Sequence, residues 1–211
     1  MILLNQLQLY AKQILNDYDK KKPSVLFKNN INITIVDAYK IQSLVTELRI
    51  KRGEKVIGYK IGSVKKQTQK KYGFSHPAWG RLWENELHFD GAQLNKNNYS
   101  NPAMEAEFGI KLKRNLKPEN ISLEYILDSI ETIHPIIEIH NLIFYGKKPH
   151  GAEHISNNAI NAGIVCGAGI KKPKVNEITD LKLIYDKKII DEWTNNCLLY
   201  TSTSPRDQEA S

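Results

Sequence analysis

The sequence predicts an α+β fold, with a small helical N-terminal region followed by a mixed β-sheet region. Apolar residues recur first at helical spacing, and from Lys55 onward they fall in short strand-like runs. Single helices interrupt these runs without a regular strand–helix repeat, which favours α+β over a doubly wound sheet. We therefore divide the chain into a helical region over 1–54, a β-rich catalytic domain over 55–196 and a tail over 197–211.

Two helices are predicted in residues 1–54. The first carries apolar residues at helical spacing between Leu4 and Ile14, and it ends before Pro23. The second begins after Thr34, a suitable N-cap, and stops at Gly53. Neither helix carries residues that suggest chemistry.

Strands dominate the prediction from residue 55 onward. Residues 56–62 and 104–112 alternate as strands do, and 136–144, 162–165 and 181–185 are further apolar runs. A third helix is predicted from the cap Ser122 through Ile133, ending before Pro135.

Composition excludes several classes of protein. No apolar run approaches the roughly 20 residues of a membrane span, the start lacks a signal peptide, and two cysteines make no disulfide framework. The net charge of +7 comes mostly from Lys, with only five Arg, and lacks the clustered Arg of nucleic-acid readers. We expect a soluble cytoplasmic protein with no membrane or nucleic-acid partner, and its basic charge suits an anionic small substrate.

The tail over 197–211 has neither a helical nor a strand period. We expect it to be unstructured and foreign to the natural protein. A flexible natural C-terminus would show the same lack of periodicity.

Glu105 and Glu107 are the sharpest local feature. Residues two apart on a strand project from the same face, so their carboxylates point to one place. Such a pair repels unless a cation or water lies between the two groups. The alternative is the solvent face of an amphipathic strand, where Glu is ordinary.

Glu138 lies in a run that is apolar on both strand faces. A carboxylate buried there needs a partner, either a cation or one of the many lysines. Three carboxylates without Cys suit Mg²⁺ or Mn²⁺ better than zinc.

Lys60 shares its strand face with Gly58 and Gly62, which have no side chains. Glycine in a strand often marks the close approach of a ligand, and a lysine there could bind an anion or stabilise an enolate. A lysine reaching solvent from a sheet edge would look the same.

The motifs resemble those of the fumarylacetoacetate hydrolase superfamily, on the branch of 2-keto-4-pentenoate hydratases and 2-oxo-3-hexenedioate decarboxylases. The resemblance covers roughly residues 1–195 and rests on six segments in order. They are Asp37-Ala38-Tyr39, Gly58-Tyr59-Lys60-Ile61-Gly62, Pro77-Ala78-Trp79-Gly80-Arg81-Leu82, Met104-Glu105-Ala106-Glu107, Pro135-Ile136-Ile137-Glu138, and Asn158-Ala159 with Ala162-Gly163.

The resemblance implies that Glu105, Glu107 and Glu138 hold Mg²⁺ or Mn²⁺ and that Lys60 is catalytic. It implies substrate contacts from Lys60, Trp79, Gly80, Asn158 and Asn161. The implied reaction hydrates 2-hydroxypenta-2,4-dienoate to 4-hydroxy-2-oxopentanoate, or acts on a close 2-oxo acid, through a metal-stabilised enolate. The implied fold is a β-roll or barrel that is incomplete at its C-terminus, with exposed strand edges, and a homo-oligomer is left open.

Two departures from the family pattern bear on the substrate. Ala78 stands where hydratases can carry an acidic residue, and Ile160-Asn161 follows the Asn-Ala pair where a Ser is typical. Three alternatives therefore stay open, namely a 2-oxo-3-hexenedioate decarboxylase, an acylpyruvate hydrolase on the same site and a non-catalytic member.

Overall fold

The structure is a computed structural model that describes residues 3–28, 31–117, 119, 121–145, 149–171 and 180–194. The predicted tail over 197–211 lies outside these residues. In chain order the helices are α1 (Leu4–Asp19), α2 (Ile35–Lys51), α3 (Lys66–Tyr72), α4 (Leu123–Ser129) and α5 (Gly151–Ser156). The strands are β1 (Val56–Gly62), β2 (Ala78–Trp83), β3 (Leu87–Phe89), β4 (Pro102–Leu112), β5 (Ile130–Asn141), β6 (Asn161–Cys166), β7 (Ile170–Lys171), β8 (Asp180–Tyr185) and β9 (Lys188–Thr194).

The described strands form three open sheets. β1 and β2 make an antiparallel pair, and β8 and β9 make another. The third sheet has the order β3-β6-β5-β4, with β7 pairing antiparallel to β5. Helices and sheets mixed in this way confirm the α+β prediction.

Contacts divide the chain into two compact units. The first contains α1, α2, α3, α5, β1 and β2, and its apolar core joins α1 and α2 to α5. Leu7, Ile41, Phe27 and Ile155 are fully buried in that core. The second contains α4, β7, β8 and β9, while β4 and β5 contribute residues to both units.

Local signals placed α2 correctly. The Thr34 side chain accepts a hydrogen bond from the Asp37 backbone N–H, which caps the first turn. Gly53 takes a φ of 93° just beyond the helix, a conformation that glycine adopts without strain.

The prediction for residues 122–133 was partly wrong. Ser122 does cap α4, but the helix ends at Ser129 and Ile130 already belongs to β5. β5 continues through Pro135, whose backbone carbonyl accepts a hydrogen bond from Gly167. β-Branched residues at 130, 132 and 133 fit a pleated strand better than a helix, and this preference outweighs the helical spacing.

The helices α3 and α5 and the strand β2 were not predicted. No helix in the described part of the chain is long and apolar enough to cross a membrane. The division at residues 54 and 196 stays a prediction.

Candidate metal centre

The site is built on two neighbouring strands of one sheet, β4 and β5. Glu105 lies near the start of β4 and is half-buried. Glu138 and His140 lie two residues apart on β5, so they share a strand face. Glu138 is 4% exposed and His140 is 1% exposed.

Glu105, Glu138 and His140 come together in space. Each offers one ligand atom, and the three atoms lie within 4.8 Å of one another. Donors around one ion with bonds of about 2.1 Å are separated by roughly 3 Å when adjacent and about 4.2 Å when opposite. The limit of 4.8 Å is slightly wider than one coordination sphere, so small side-chain movements would bring the three donors onto one ion.

Glu107 does not belong to that group. It lies two residues beyond Glu105 on β4, is half-buried, and its carboxylate is not among the clustered donors. The structure thus brings together two of the three predicted carboxylates and adds His140.

The face of β4 that carries these acids is not a solvent face. Glu105 and Glu107 are half-buried, and the other face is mixed, with Met104 and Ile110 mostly exposed and Ala106 buried. Neither face is uniformly exposed, and the half-burial of Glu105 and Glu107 argues against ordinary surface carboxylates.

Lys60 lies on the inward face of β1. The strand alternates between half-buried and exposed residues, with Lys60 on the half-buried side. Its side chain runs along the strand toward Gly62. If Gly62 carried a Cβ atom, that atom would lie 3.2 Å from the Lys60 Nζ. Gly62 therefore leaves the space that the ammonium group occupies.

A half-buried histidine, His154, lies within electrostatic range of Lys60 and His140. Burial, and after it the electrostatic effects of Lys60 and His140, lower the pKa of His154 to about 3. Both side chains are therefore within electrostatic range of the His154 imidazole. The Tyr72 ring, with its centroid at 4.7 Å, and the Phe144 ring, at 5.9 Å, flank that imidazole.

Gly80 lies directly opposite Lys60 in the β1–β2 register. A Cβ added there would lie 2.2 Å from the backbone oxygen of Asn158, so only glycine fits. The Asn158 amide binds the Arg81 backbone twice, accepting from its N–H at 2.7 Å and donating to its C=O at 2.9 Å.

Trp79 lies on the other face of β2. It pairs with Ile61, which is exposed, and directly paired residues share a face. Its ring stacks on Tyr39 at 5.0 Å between centroids and lies 5.0 Å from the Arg81 guanidinium carbon.

Asn161 is buried at the start of β6, where its side-chain oxygen accepts from the Gly163 N–H at 3.2 Å. The substrate contacts of Trp79, Gly80, Asn158 and Asn161 stay predictions.

Sequence reasoning missed His140 and His154. For His140 a signal existed, because a histidine two residues after Glu138 on a strand must share its face. No local signal identifies His154, since its neighbours Lys60 and His140 are distant in the sequence.

Comparison with known proteins gives several relatives, although no protein-family model matches the chain. It is 29% identical over 167 residues to a 2-oxo-hept-4-ene-1,7-dioate hydratase of Escherichia coli, covering 76% of this chain and 62% of that protein. It is 32% identical over 108 residues to a 2-keto-4-pentenoate hydratase of Paraburkholderia xenovorans (strain LB400), covering 51% of this chain and 40% of that protein.

A 4-oxalocrotonate decarboxylase from a Pseudomonas species is 27% identical over 169 residues, covering 79% of this chain and 65% of that protein. The chain thus spans between 40% and 65% of the length of these relatives.

A solved structure shares the fold. The 4-oxalocrotonate decarboxylase from Pseudomonas putida G7, complexed with magnesium and adipate, superposes with a TM-score of 0.78 at 18% identity. The match covers 92% of this chain and 75% of that one. The relatives are hydratases and decarboxylases, the branch that the motifs resemble, and the chain shares the fold of the decarboxylase from Pseudomonas putida G7.

Proposed function

We propose that this chain carries the metal centre of a divalent-metal-dependent lyase that acts on a small 2-oxo acid. The substrate we favour is 2-hydroxypenta-2,4-dienoate, hydrated to 4-hydroxy-2-oxopentanoate. The observation that supports this proposal most directly is the convergence of the Glu105, Glu138 and His140 donor atoms within 4.8 Å.

The donor set fits a divalent cation. The two carboxylates supply two negative charges, which offset the charge of the ion. Glu138 is deeply buried, so bulk water hydrates its carboxylate poorly and a cation stabilises it better. The Mg²⁺ in the decarboxylase from Pseudomonas putida G7 makes Mg²⁺ or Mn²⁺ the cations to test first. When bound, the cation would stabilise negative charge that develops on the 2-oxo group.

Lys60 would supply the second positive charge. Its ammonium group lies on the inward face of β1, in the space that the missing side chain of Gly62 leaves. In this position it can bind the substrate carboxylate and stabilise the enolate form of the substrate. The half-buried setting strengthens both interactions relative to water.

His154 would keep a third positive charge out of this neighbourhood. Because its pKa is lowered to about 3, by burial first and then by Lys60 and His140, the imidazole is neutral at pH 7. Because the ring is neutral, Lys60 is the side chain whose positive charge would attract the anionic substrate. Gly80, opposite Lys60, lets the Asn158 backbone lie close against β2.

Decarboxylation of 2-oxo-3-hexenedioate is the second candidate. Ala78, buried at the start of β2, supplies no carboxylate at a position where hydratases of this group can carry one, and this favours the decarboxylase. The decarboxylase relative, 27% identical over 169 residues, supports the same choice.

Metal titration and turnover test the proposal together. Calorimetry with Mg²⁺ and Mn²⁺ should show one site, and Glu138→Gln should remove both metal binding and turnover. Glu131→Gln is the matched control, since it lies on the same strand with a side chain that is 43% exposed and paired to Lys111. Substrates to compare are 2-hydroxypenta-2,4-dienoate, 2-oxo-3-hexenedioate and an acylpyruvate.

Lys60→Met separates binding from catalysis. It should abolish turnover and leave the metal affinity within about twofold, because Lys60 is not among the clustered donors. The control is Lys55→Met, whose side chain is 71% exposed. Tight metal binding without turnover of any of the three substrates would contradict the lyase and favour a binding protein.

A further inference from the structure

Arg81 is the one arginine in the described part of the chain without a carboxylate partner. Arg49, Arg52 and Arg114 each form an ion pair with at least one Asp or Glu. Arg81 instead donates from Nη1 to the neutral Gln42 side chain at 2.8 Å, and it forms no ion pair with a described residue. Its guanidinium group therefore keeps both its charge and several N–H donors for another acceptor.

Arg81 has also lost part of its hydration. The residue is half-buried, and burial lowers the pKa of its guanidinium group, with only Tyr59 acting in the opposite direction. Burial also opposes the charges of Arg49 and Arg52, but the acidic partners of those two residues outweigh it and raise their pKa. A partly desolvated cation without an anion is costly, and a bound anion would relieve that cost.

Arg81 lies in an array of four side chains on one face of the β1–β2 pair. Directly opposed residues share a face, so Tyr59 with Arg81 and Ile61 with Trp79 form this array. The guanidinium carbon lies 5.0 Å from the Trp79 ring centroid, and the Tyr59 ring meets Trp79 edge-on at 6.0 Å. Tyr59 is 63% exposed and Ile61 is 66% exposed. The array therefore combines a cation that lacks an acidic partner with exposed apolar surface.

The array lies on the opposite face from Lys60. Lys60 and Gly80 are opposed in the same register, and neighbouring residues on a strand project to opposite faces. The proposed function places the substrate carboxylate at Lys60. An anion bound at Arg81 would therefore occupy a second position, on the other side of the strand pair.

We propose that Arg81, Tyr59, Ile61 and Trp79 form a second anion site, which binds a small flat organic carboxylate such as an aromatic acid. The carboxylate accepts hydrogen bonds from Arg81, whose planar fork matches two oxygens. The apolar ring lies over Tyr59 and Ile61 and removes their exposed surface from water. An inorganic anion would leave that surface exposed, so the array favours a carboxylate attached to a ring.

Calorimetry with benzoate on the 211-residue chain tests this site. The buffer contains a chelator, so that no metal ion competes for the carboxylate. We expect saturable binding with a Kd of ~1 mM, as for a shallow and open site. Benzamide carries the same ring without the charge, and it should bind ~10-fold or more weakly.

Arg81→Met should weaken benzoate binding by ~10-fold or more, because it removes the cation and keeps an unbranched side chain. Arg52→Met is the matched control, since Arg52 is 38% exposed and already paired with acids. It should leave the affinity for benzoate within ~2-fold of the unchanged chain. Lys60→Met should have equally little effect, because Lys60 lies on the other face.

Tyr59→Ala keeps the test decisive if Arg81→Met does not fold. The Tyr59 side chain is mostly exposed, so its truncation should be tolerated. Loss of the ring should weaken benzoate binding by ~3- to 10-fold. The matched control is Tyr185→Ala, at a tyrosine of β8 that is 69% exposed, and it should leave benzoate binding unchanged.

Several results would overturn the proposal. Absence of saturable binding, or benzamide binding as tight as that of benzoate, would show that no carboxylate is recognised. Equal affinities of Arg81→Met and the unchanged chain would place benzoate elsewhere, as would a loss in Lys60→Met alone. Self-association in sedimentation velocity that Arg81→Met abolishes would assign this face to a second copy of the chain. None of these results affects the proposed metal centre, because the chelator removes its ion from the measurement.

Discussion

Asn158 holds the backbone of Arg81 through both ends of its side-chain amide, at 2.7 Å and 2.9 Å. The two residues are 77 positions apart, and the contact ties the turn before β6 to strand β2. β2 in turn pairs with β1, where Lys60 lies opposite Gly80. The position of the proposed catalytic lysine therefore depends on an amide far away in the sequence.

Asn158→Ala should destabilise the first unit. Both Arg81 backbone groups would lose their partner, and an unsatisfied, partly buried polar group costs about 1–3 kcal/mol. Asn158 also has a φ of 56°, which Asn tolerates better than Ala. We expect the free energy of unfolding to fall by about 2 kcal/mol, measured by urea denaturation.

The control for this variant is Asn98→Ala, at an exposed position. It should change stability by less than about 0.5 kcal/mol. Equal effects of the two substitutions would show that the Asn158 amide does not stabilise β2.

Gly80→Ala should be among the most damaging single-methyl additions in the chain. The new Cβ would lie 2.2 Å from the Asn158 backbone oxygen, and backbone cannot move away as a flexible side chain can. Overpacking of this kind costs about 1–3 kcal/mol or more. Thermal unfolding should show a clear drop in Tm.

Gly58→Ala provides a matched comparison on the same inward face. Its Cβ would meet Leu82 Cδ1 at 3.5 Å, an ordinary contact. We expect little loss there, because alanine also removes conformational freedom from the unfolded chain. A larger loss at Gly58 than at Gly80 would contradict the close approach of Asn158.

Sequence patterns predicted much of this fold because much of it is local. The Thr34 cap, the stop at Gly53 and the alternation of β1 and β4 depend on neighbouring residues. The shared face of Glu105 and Glu107 followed from strand period alone. Period fixes which face a side chain occupies, however, and not which distant residue it meets.

The parts that escaped prediction depend on long-range contacts or strain. Asn158, Ala159 and Ile160 all have positive φ, at 56°, 49° and 62°, and such a run costs roughly 1–2 kcal/mol per residue. No local preference favours it, least of all for a β-branched isoleucine. Tertiary contacts must maintain this turn, and the Asn158 bonds to Arg81 are among them.

Arg49→Met should destabilise the protein by about 3–5 kcal/mol. Arg49 is 5% exposed, bonds Glu54 at 2.7 Å and Glu86 at 2.6 Å, and lies 4.0 Å from the Trp83 ring centroid. Its removal would leave the Glu86 carboxylate, with a side chain 12% exposed, without this cation, whereas Glu54 would keep its ion pair with Arg52. Chemical denaturation at pH 7 measures the loss.

The double variant Arg49→Met/Glu86→Gln should recover part of that loss, because it also removes the charge that the first substitution leaves without its cation. Arg52→Met is the control, since its side chain is 38% exposed and surface ion pairs contribute little. A loss at Arg52 as large as that at Arg49 would show that burial is not the cause.

His154 gives the fold a defined dependence on pH. Its pKa is lowered from 6.5 to about 3 in the folded chain, by burial first and then by Lys60 and His140. Between these values the unfolded chain binds a proton that the folded chain does not, so stability falls as pH falls. The contribution is fully present above pH ~6.5 and is lost progressively toward pH ~3.

His154→Phe removes this group and keeps the ring between Tyr72 and Phe144. Between pH 7 and pH 4.5, in metal-free buffer, the unchanged chain should lose about 2–3 kcal/mol more unfolding free energy than the variant. Urea denaturation at both pH values measures the loss in each protein. The carboxylates titrate in both proteins, so their contribution cancels when the two losses are subtracted. The exposed His76→Phe should lose as much as the unchanged chain. If His154→Phe does too, the imidazole is not held neutral by the surroundings described above.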